Sequence, residues 1–172
     1  MVSSLKKIGF GGGCHWCTEA VFQNLIGVSE VEQGWIQSTE KNNSFSEAVI
    51  VHFDSDLMAI SILVRIHLHT HSSTSTHSMR DKYRSAVYVY NDAQGKCVST
   101  IIKSCQYEFE EKLITQVLPF LAFKKNEEQY LNYYKKNAGN QFCQRYIHPK
   151  LQLIQEKFAR QVLGNTFELD SK

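Results

Sequence analysis

Two cysteines near the N-terminus have the spacing and the context for sulfur chemistry. Cys14 and Cys17 follow three glycines, which in turn follow the short apolar segment 8–10. This order predicts a strand, a tight turn and a helix that begins at Cys14. Because a helix N-terminus carries partial positive charge and free N–H groups, it stabilises a thiolate. Cys17 lies one helical turn further on, so we expect an activated sulfur with a second thiol within disulfide or metal-binding reach.

Two further candidate residues each precede the start of a different predicted strand. Glu47 precedes the apolar segment 48–53, so we expect it at the rim of a sheet and partly desolvated. Burial favours the neutral form of a carboxylic acid, which then donates a proton near neutral pH. Tyr83 precedes the predicted strand 85–90, where its hydroxyl can donate a hydrogen bond into a cleft. On the residues alone, a solvated loop carboxylate and a tyrosine packed at a strand edge are the alternatives.

Three kinds of chemistry compete for the two cysteines. A zinc site needs a second pair of ligands, which the histidines of segment 67–77 would have to supply. A general thiol-disulfide exchanger of the thioredoxin type sets a proline loop against its cysteines, and this chain has only Pro119 and Pro149. In the third kind of chemistry, a cysteine nucleophile is oxidised by its substrate, and a neighbouring thiol then reduces the oxidised cysteine. The spacing of Cys14 and Cys17 favours the third and leaves a Cys/His metal-binding module and an exchanger as alternatives.

The composition is that of an ordinary globular protein. The chain has 172 residues, of which 42% are hydrophobic and 21% charged, and its net charge is +2. These values predict a single domain over 1–172, with a C-terminal extension from about 143 to 172, and give no reason to expect nucleic-acid or membrane binding. The N-terminus lacks the apolar segment of a secretory signal, and the five cysteines are an odd number. We therefore expect a cytoplasmic protein, a monomer, with no bound metal.

Hydrophobic periodicity predicts strands and helices that alternate irregularly along the chain. Strands are expected over 6–10, 28–35, 48–53, 85–90 and 113–118, and helices from residue 14, from residue 56 or 57, over 98–109, over 127–136 and from Pro149. Segment 91–95 has residues typical of a hairpin turn. Cys97 and Cys105 are expected to be small buried residues. The pattern predicts an α+β fold with a mixed β-sheet flanked by helices.

Three segments, taken together in their order and spacing, resemble the A-type peptide methionine sulfoxide reductases. They are residues 13–17 (GCHWC), 45–49 (FSEAV) and 83–88 (YRSAVY), and segments 114–120 and 129–131 extend the similarity over residues 6–143. The resemblance implies a two-layer, ferredoxin-like core with an added C-terminal helix. It also implies reduction of the S epimer of methionine sulfoxide, free or in oxidised proteins, with thioredoxin or a similar dithiol as the reductant and no bound cofactor.

The resemblance also assigns roles to residues of this chain. Cys14 corresponds to the nucleophile that attacks the sulfoxide sulfur and becomes a sulfenic acid. Glu47 corresponds to the acid that protonates the sulfoxide oxygen, and Tyr83 to a tyrosine that donates a second hydrogen bond to it. Trp16 corresponds to an indole that packs on the substrate methyl group. An acid beside the thiolate suits this reaction, because a sulfoxide oxygen is a poor leaving group until it is protonated.

The resolving cysteine and several substrate contacts are left open by the resemblance. Family members use a cysteine either at the position of Cys17 or near the C-terminus, where Cys143 lies; we favour Cys17 as the first resolver. His15 stands where the family usually has phenylalanine, so the predicted methyl pocket is more polar. Trp35 stands near the place of a second tyrosine and offers an indole N–H instead of a hydroxyl. Ser78 stands where an acid is common. We therefore expect a divergent member of the family that keeps the core reaction but has different residues around the rim of the active site.

Overall fold

A six-stranded mixed sheet forms the centre of the computed structural model, which describes residues 4–163. The strands are β1 (Leu5–Gly11), β2 (Val28–Gln37), β3 (Ser46–Asp54), β4 (Ala86–Val89), β5 (Gln116–Pro119) and β6 (Ala122–Lys125). Their order across the sheet is β5-β4-β1-β3-β2-β6. The β4–β5 pair is parallel, and the other pairs in the described residues are antiparallel. The sheet is thus mixed, as predicted.

The helices are α1 (His15–Gln23), α2 (Ile60–Thr70), α3 (Asp92–Cys105), α4 (Tyr133–Asn137) and α5 (His148–Lys157). A π-helical turn over Cys143–Ile147 leads directly into α5. Pro149 lies in the first turn of α5, directly after the π-helical turn. Among residues 4–163, no helix combines the length and the apolar character that crossing a membrane requires.

The main core lies between one face of the sheet and the helices. Period-two alternation turns one set of strand side chains towards the helices, among them Ile8, Phe10, Val49, Val51 and Val87. These pack with buried side chains of the helices, such as Phe22, Leu63 and Ile154. The opposite face carries a smaller cluster made by Ile36, Ala48, Ile50, Ala86 and Tyr88. The result is the α+β arrangement that the sequence predicts, with the helices gathered on one face.

Strands β1 to β4 and helices α1 and α5 confirm the sequence predictions to within a few residues. Helix α2 does not begin at residue 56 or 57 as predicted. The Asp54 carboxylate accepts the N–H of Asp56 at 2.9 Å in a turn, and the helix starts only at Ile60. Asp54 therefore stabilises a turn between β3 and α2 and caps no helix.

The hairpin turn predicted over 91–95 is wrong, because this segment begins α3. The Asn91 side chain accepts the N–H of Gln94 at 2.8 Å and caps the helix. Asparagine favours turns and helix starts alike, and here the helix connects β4 to the parallel strand β5. Cys105 is buried as predicted, whereas Cys97 is exposed, contrary to prediction.

The single helix predicted over 127–136 is also wrong. Asn132 has a left-handed backbone with φ 55°, which separates a 3₁₀ turn over Glu128–Tyr130 from the short α4. Strand β6, which the sequence did not indicate, precedes this region and pairs with β2. The predicted extension from about 143 contributes Leu151 and Ile154 to the main core, and its last part, 164–172, lies outside the described residues. The single domain stays a prediction.

Candidate active site

Cys14 lies at the junction that the sequence predicts. Strand β1 ends at Gly11, two glycines follow, and α1 begins immediately after Cys14. The Cys14 carbonyl accepts the backbone N–H of Cys17 and of Thr18, each at 3.1 Å, so Cys14 occupies the N-cap position. Its side chain is half-buried. The sulfur therefore sits at the positive end of the helix, next to free N–H groups.

The surroundings of Cys14 favour its thiolate. The pKa of Cys14 is lowered, first by a hydrogen bond from the Cys17 side chain and then by the backbone N–H groups of Trp16 and Cys17. Burial and the negative charge of Glu47 oppose this shift. The pKa of Cys17 is raised, because its thiol is hydrogen-bonded to Cys14 and is also buried. The pair thus favours ionisation at Cys14 and a neutral thiol at Cys17, which contacts it.

Cys143, the other candidate resolving thiol, lies in the π-helical turn and is 0% exposed. Burial raises the pKa of Cys143. It packs in the main core with Cys17, which is itself 5% exposed. All five cysteines are free thiols in this structure. Both resolving candidates therefore lie beneath the surface on the side of Cys14 that faces the core.

Glu47 is the second residue of β3 and is more deeply buried than the sequence suggests, at 5% exposure. Its backbone N–H donates to the carbonyl of Lys82 at 2.9 Å, which joins β3 to the loop before β4. Its Oε1 lies 3.2 Å from Nε2 of His15, and its Oε2 lies 3.7 Å from Nζ of Lys82. The carboxyl group therefore adjoins the start of α1, one residue from Cys14.

His15 does not project into an open substrate pocket. It is 4% exposed, and its Nδ1 donates to the Gly34 carbonyl at 2.8 Å. Its ring meets the Trp35 ring edge-on, with 5.0 Å between centroids. Burial lowers the pKa of His15. In this structure the His15 ring contacts β2 and Glu47, and a contact of His15 with substrate stays a prediction.

A cavity of about 400 Å³ opens beside Cys14. Cys14 and Tyr83 both line it, together with Met79 and Lys150. Tyr83 is half-buried, and the Lys82 ammonium lies over its ring at 5.1 Å from the centroid. The structure thus brings the predicted nucleophile and the predicted hydrogen-bonding tyrosine to one opening.

Trp16 packs against the C-terminal part of the chain. Its ring stacks on Tyr133 with 4.0 Å between centroids and an angle of 8°, and it meets the Phe142 ring edge-on at 5.5 Å. The buried Glu19 carboxylate holds this region in place by accepting the N–H groups of Asn132 and Tyr133, both at 3.1 Å. A contact between the indole and a substrate methyl group stays a prediction. In this structure one face of the indole stacks on the Tyr133 ring.

Comparison with known proteins identifies the family. A model of the family described as peptide methionine sulfoxide reductase matches residues 6–162. The chain belongs to this family. Among its relatives, the reductase MsrA of Pasteurella multocida is 32% identical over 163 residues, covering 87% of this chain and 94% of the relative. The MsrA of Natronomonas pharaonis is 29% identical over 168 residues, covering 88% and 94%.

Solved structures show the same fold. The reduced form of Mxr1 from Saccharomyces cerevisiae superposes with a TM-score of 0.69 at 21% identity, covering 83% of this chain and 91% of that one. Methionine sulfoxide reductase A of Corynebacterium diphtheriae gives a TM-score of 0.67 at 21% identity, covering 78% and 76%. As a member of this family, the chain is an oxidoreductase that reduces methionine sulfoxide.

The reductase site includes residues that the sequence did not single out. Lys150, from the first turn of α5, lines the Cys14 cavity and donates to the carbonyl of Thr70. Burial lowers the pKa of Lys150, while the nearby Cys17 and Cys14 raise it. Asn126 lies 3.3 Å from the His15 ring. Lys150 directly follows Pro149 at the start of the predicted last helix, and nothing local marked either Lys150 or Asn126 as part of a site.

The histidines considered as metal ligands support the glycine turn of the reductase instead. His67 donates from Nε2 to the Gly11 carbonyl at 2.7 Å. His71 stacks on His67 and bonds through Nε2 with the Ser85 hydroxyl at 2.8 Å. Within residues 4–163, no group of three or more His, Cys, Asp or Glu side chains could hold a metal ion.

Gly12 should be intolerant of any side chain, whereas Gly13 offers a matched control. Gly12 has φ 151°, and an added Cβ would overlap the His71 ring, which is held by the bonds just described. We expect Gly12→Ala to lower the free energy of unfolding by about 1–3 kcal/mol. An added Cβ at Gly13 meets none of the described atoms within 4 Å, so Gly13→Ala should cost under about 0.5 kcal/mol. Urea unfolding measures both, and equal losses would contradict this account of the turn.

Proposed function

We propose that this reductase acts on the S epimer of methionine sulfoxide, with Cys14 as the nucleophile, Glu47 as the acid and Tyr83 as a second hydrogen-bond donor to the oxygen. The observation that carries the proposal is the environment of Cys14. Its pKa is lowered by Cys17 and the start of α1, and a buried carboxyl group lies one residue away. An ionised sulfur beside a proton donor is what the removal of a sulfoxide oxygen requires.

The first step transfers the oxygen from substrate to enzyme. The Cys14 thiolate attacks the sulfoxide, and the bond between the methionine sulfur and its oxygen breaks. The oxygen ends on the Cys14 sulfur and takes the proton of the Glu47 carboxyl, which gives a sulfenic acid and leaves Glu47 as a carboxylate. Methionine departs with its sulfur reduced, and the cysteine sulfur is oxidised by the same two electrons. Tyr83 donates to the oxygen from the cavity that it shares with Cys14.

The second step forms a disulfide. The Cys17 thiol attacks the sulfenic sulfur and water leaves. Its contact with Cys14 supports Cys17 as the first resolver, and the packing of Cys143 in the same core supports a relay in which Cys143 then takes over the disulfide with Cys17. An external dithiol such as thioredoxin then opens the disulfide. Mxr1 of Saccharomyces cerevisiae, which superposes with a TM-score of 0.59 over 73% of this chain, has been solved in complex with Trx2.

We also propose that the fold contains a ferredoxin-like core. The proposal is supported by the segment β1-α1-β2-β3-α2-β4, whose strands lie in the order β4-β1-β3-β2 that is typical of a ferredoxin-like core. Strands β5 and β6 extend that core at its two edges. We further propose one monomeric catalytic domain, active in the cytoplasm without a bound cofactor.

A stereospecific assay tests the proposed function. The full chain should reduce the S epimer of a methionine sulfoxide substrate, with thioredoxin, thioredoxin reductase and NADPH, and should leave the R epimer untouched. NADPH oxidation and methionine formation give the readout. Reduction of insulin disulfides without sulfoxide turnover would instead identify a general disulfide exchanger. Stoichiometric zinc in a protein that reduces neither epimer would identify a metal-binding module.

A further inference from the structure

We propose that Arg80 is a positioning residue that fixes the place of Tyr83 relative to Cys14. This role deepens the proposed function and rests on the part given there to the Tyr83 hydroxyl. Arg80 binds backbone carbonyls rather than the reacting atoms, so it acts through the residues that it holds.

Tyr83 lies in a loop, so its position depends on individual hydrogen bonds. Segment 71–85 connects α2 to β4 and contains neither helix nor strand. Loops move more than the elements that they connect unless hydrogen bonds hold their backbone. A hydroxyl that must meet one oxygen atom of a substrate needs such bonds, because a small displacement of a catalytic group weakens its contribution strongly.

The Arg80 guanidinium joins this loop to the glycine turn. Its Nη1 donates to the Tyr83 carbonyl at 2.9 Å and to the Gly12 carbonyl at 3.0 Å. Gly12 is two residues before Cys14, and the carbonyl before Gly12 is itself bonded to His67. One nitrogen atom thus connects the backbone of the hydrogen-bonding tyrosine to the turn that carries the nucleophile.

The other donors of Arg80 hold the guanidinium in place. Its Nε donates to the Ser75 carbonyl at 2.9 Å, and its Nη2 donates to the Ser72 carbonyl. Four of its five N–H groups therefore bind four carbonyls, an arrangement that needs the planar fork of arginine. Burial lowers the pKa of Arg80, but a guanidinium keeps its charge in proteins. The four carbonyls offset the cost of placing this charge in a half-buried site.

Tyr83 is anchored on its other side by β3. The carbonyl of the preceding residue, Lys82, accepts the backbone N–H of Glu47 at 2.9 Å and the Ser46 hydroxyl at 3.0 Å. Of the two peptide groups that flank Tyr83, one is thus bonded to the strand of the acid. The other is bonded, through Arg80, to the turn of the nucleophile. Losing the guanidinium releases the second anchor and leaves the first in place.

A double-mutant cycle tests this role. We expect Arg80→Lys to lower the saturating rate of methionine formation in a single turnover by about tenfold, because lysine keeps the charge but cannot bind all four carbonyls. Tyr83→Phe should lower it by about a hundredfold. The double variant should be no slower than Tyr83→Phe alone, because an absent hydroxyl cannot be misplaced. A double variant slower by about a thousandfold, the product of the two losses, would overturn the proposal.

Two controls separate positioning from other effects of the substitution. Arg65 on α2 also uses its fork, binding the Glu108 carboxylate at 2.7 and 3.1 Å, and Arg65→Lys should leave the rate unchanged with either residue at position 83. The pH dependence of Cys14 alkylation should be the same in Arg80→Lys and the wild type, because the positive charge remains. A shift of this pH dependence would assign Arg80 an electrostatic role and would overturn positioning.

Hydrogen–deuterium exchange gives a readout that does not depend on activity. Backbone amides of segments 11–14 and 80–84 should exchange faster in Arg80→Lys, whereas those of α3 should keep their wild-type rates. Equal exchange in the two proteins, or faster exchange with an unchanged reaction rate, would overturn the proposal. A full rate in Tyr83→Phe would instead remove the hydroxyl from the proposed function, and the exchange result would still decide whether Arg80 joins the two segments.

Discussion

Replacing Cys14 with serine is expected to abolish sulfoxide reduction, with a loss of roughly 10⁴–10⁶-fold, as for other catalytic nucleophiles. The start of α1 and the Cys17 thiol lower the pKa of the Cys14 thiol, but a serine hydroxyl at the same place stays un-ionised. The measurement is methionine formed per enzyme in one turnover without added reductant. Turnover by Cys14→Ser would refute the assignment.

Cys17→Ser and Cys97→Ser provide the controls for this experiment. Cys17→Ser should still form methionine once, but it should lose the turnover that thioredoxin sustains, because the thiol in contact with the Cys14 sulfur, the proposed first resolver, is gone. Cys97 is exposed on α3, and its replacement should change neither measurement. Peptide mapping of the wild-type protein after one turnover should find a bond between Cys14 and Cys17. A bond between Cys14 and Cys143, with Cys17 free, would reverse the proposed order.

Glu47→Gln is expected to slow the reduction of methionine sulfoxide by about 10²–10⁴-fold, the usual contribution of a general acid. Glutamine keeps the size of the side chain and its contact with the start of α1, but it has no proton to give. The later opening of the disulfide by thioredoxin needs no such proton donor and should keep its rate. Stopped-flow measurement of the two half-reactions separates these effects.

Glu32→Gln is the matched control for Glu47. Glu32 lies on β2 opposite Ile50, and its carboxylate also pairs with a histidine, His52, at 2.7 Å. Its replacement removes another carboxylate–histidine pair, one that joins β2 to β3, and should leave both half-reactions unchanged. If Glu47→Gln slows the two half-reactions equally, or slows neither, Glu47 is not the acid.

Local sequence signals predicted the part of the site that is formed by neighbouring residues in the chain, which is the segment around Cys14. The apolar segment 8–10, the glycines and the periodic residues after Cys14 specify strand, turn and helix without help from distant residues, and the structure has β1 and α1 at these places. Tyr83 and Glu47 were predictable as residues at strand starts. Their approach to Cys14 follows from the pairing of β1 with both β3 and β4.

The parts that the sequence did not predict depend on distant contacts. Strand β6 is only four residues long and forms because β2 offers it an edge. The environment of His15 depends on Gly34 and Asn126, which are 19 and 111 residues away along the chain. The packing of Trp16 against Tyr133 needs the left-handed Asn132, a conformation with no clear signal in the sequence. Resemblance to a family transfers roles by position and does not include such partners.

In the proposed relay, the burial of Cys17 and Cys143 shields a disulfide between these two residues from external thiols. An external dithiol must attack a disulfide sulfur directly, and neither of these sulfurs is reachable while the π-helical turn and α1 stay packed. We therefore expect reduction of a Cys17–Cys143 disulfide to require local opening of the protein, at a rate that follows the population of the open form. A reductant that binds and stabilises the open form reaches the disulfide, whereas small thiols at the same redox potential react only during rare local opening. The packing of the core thus selects the electron donor.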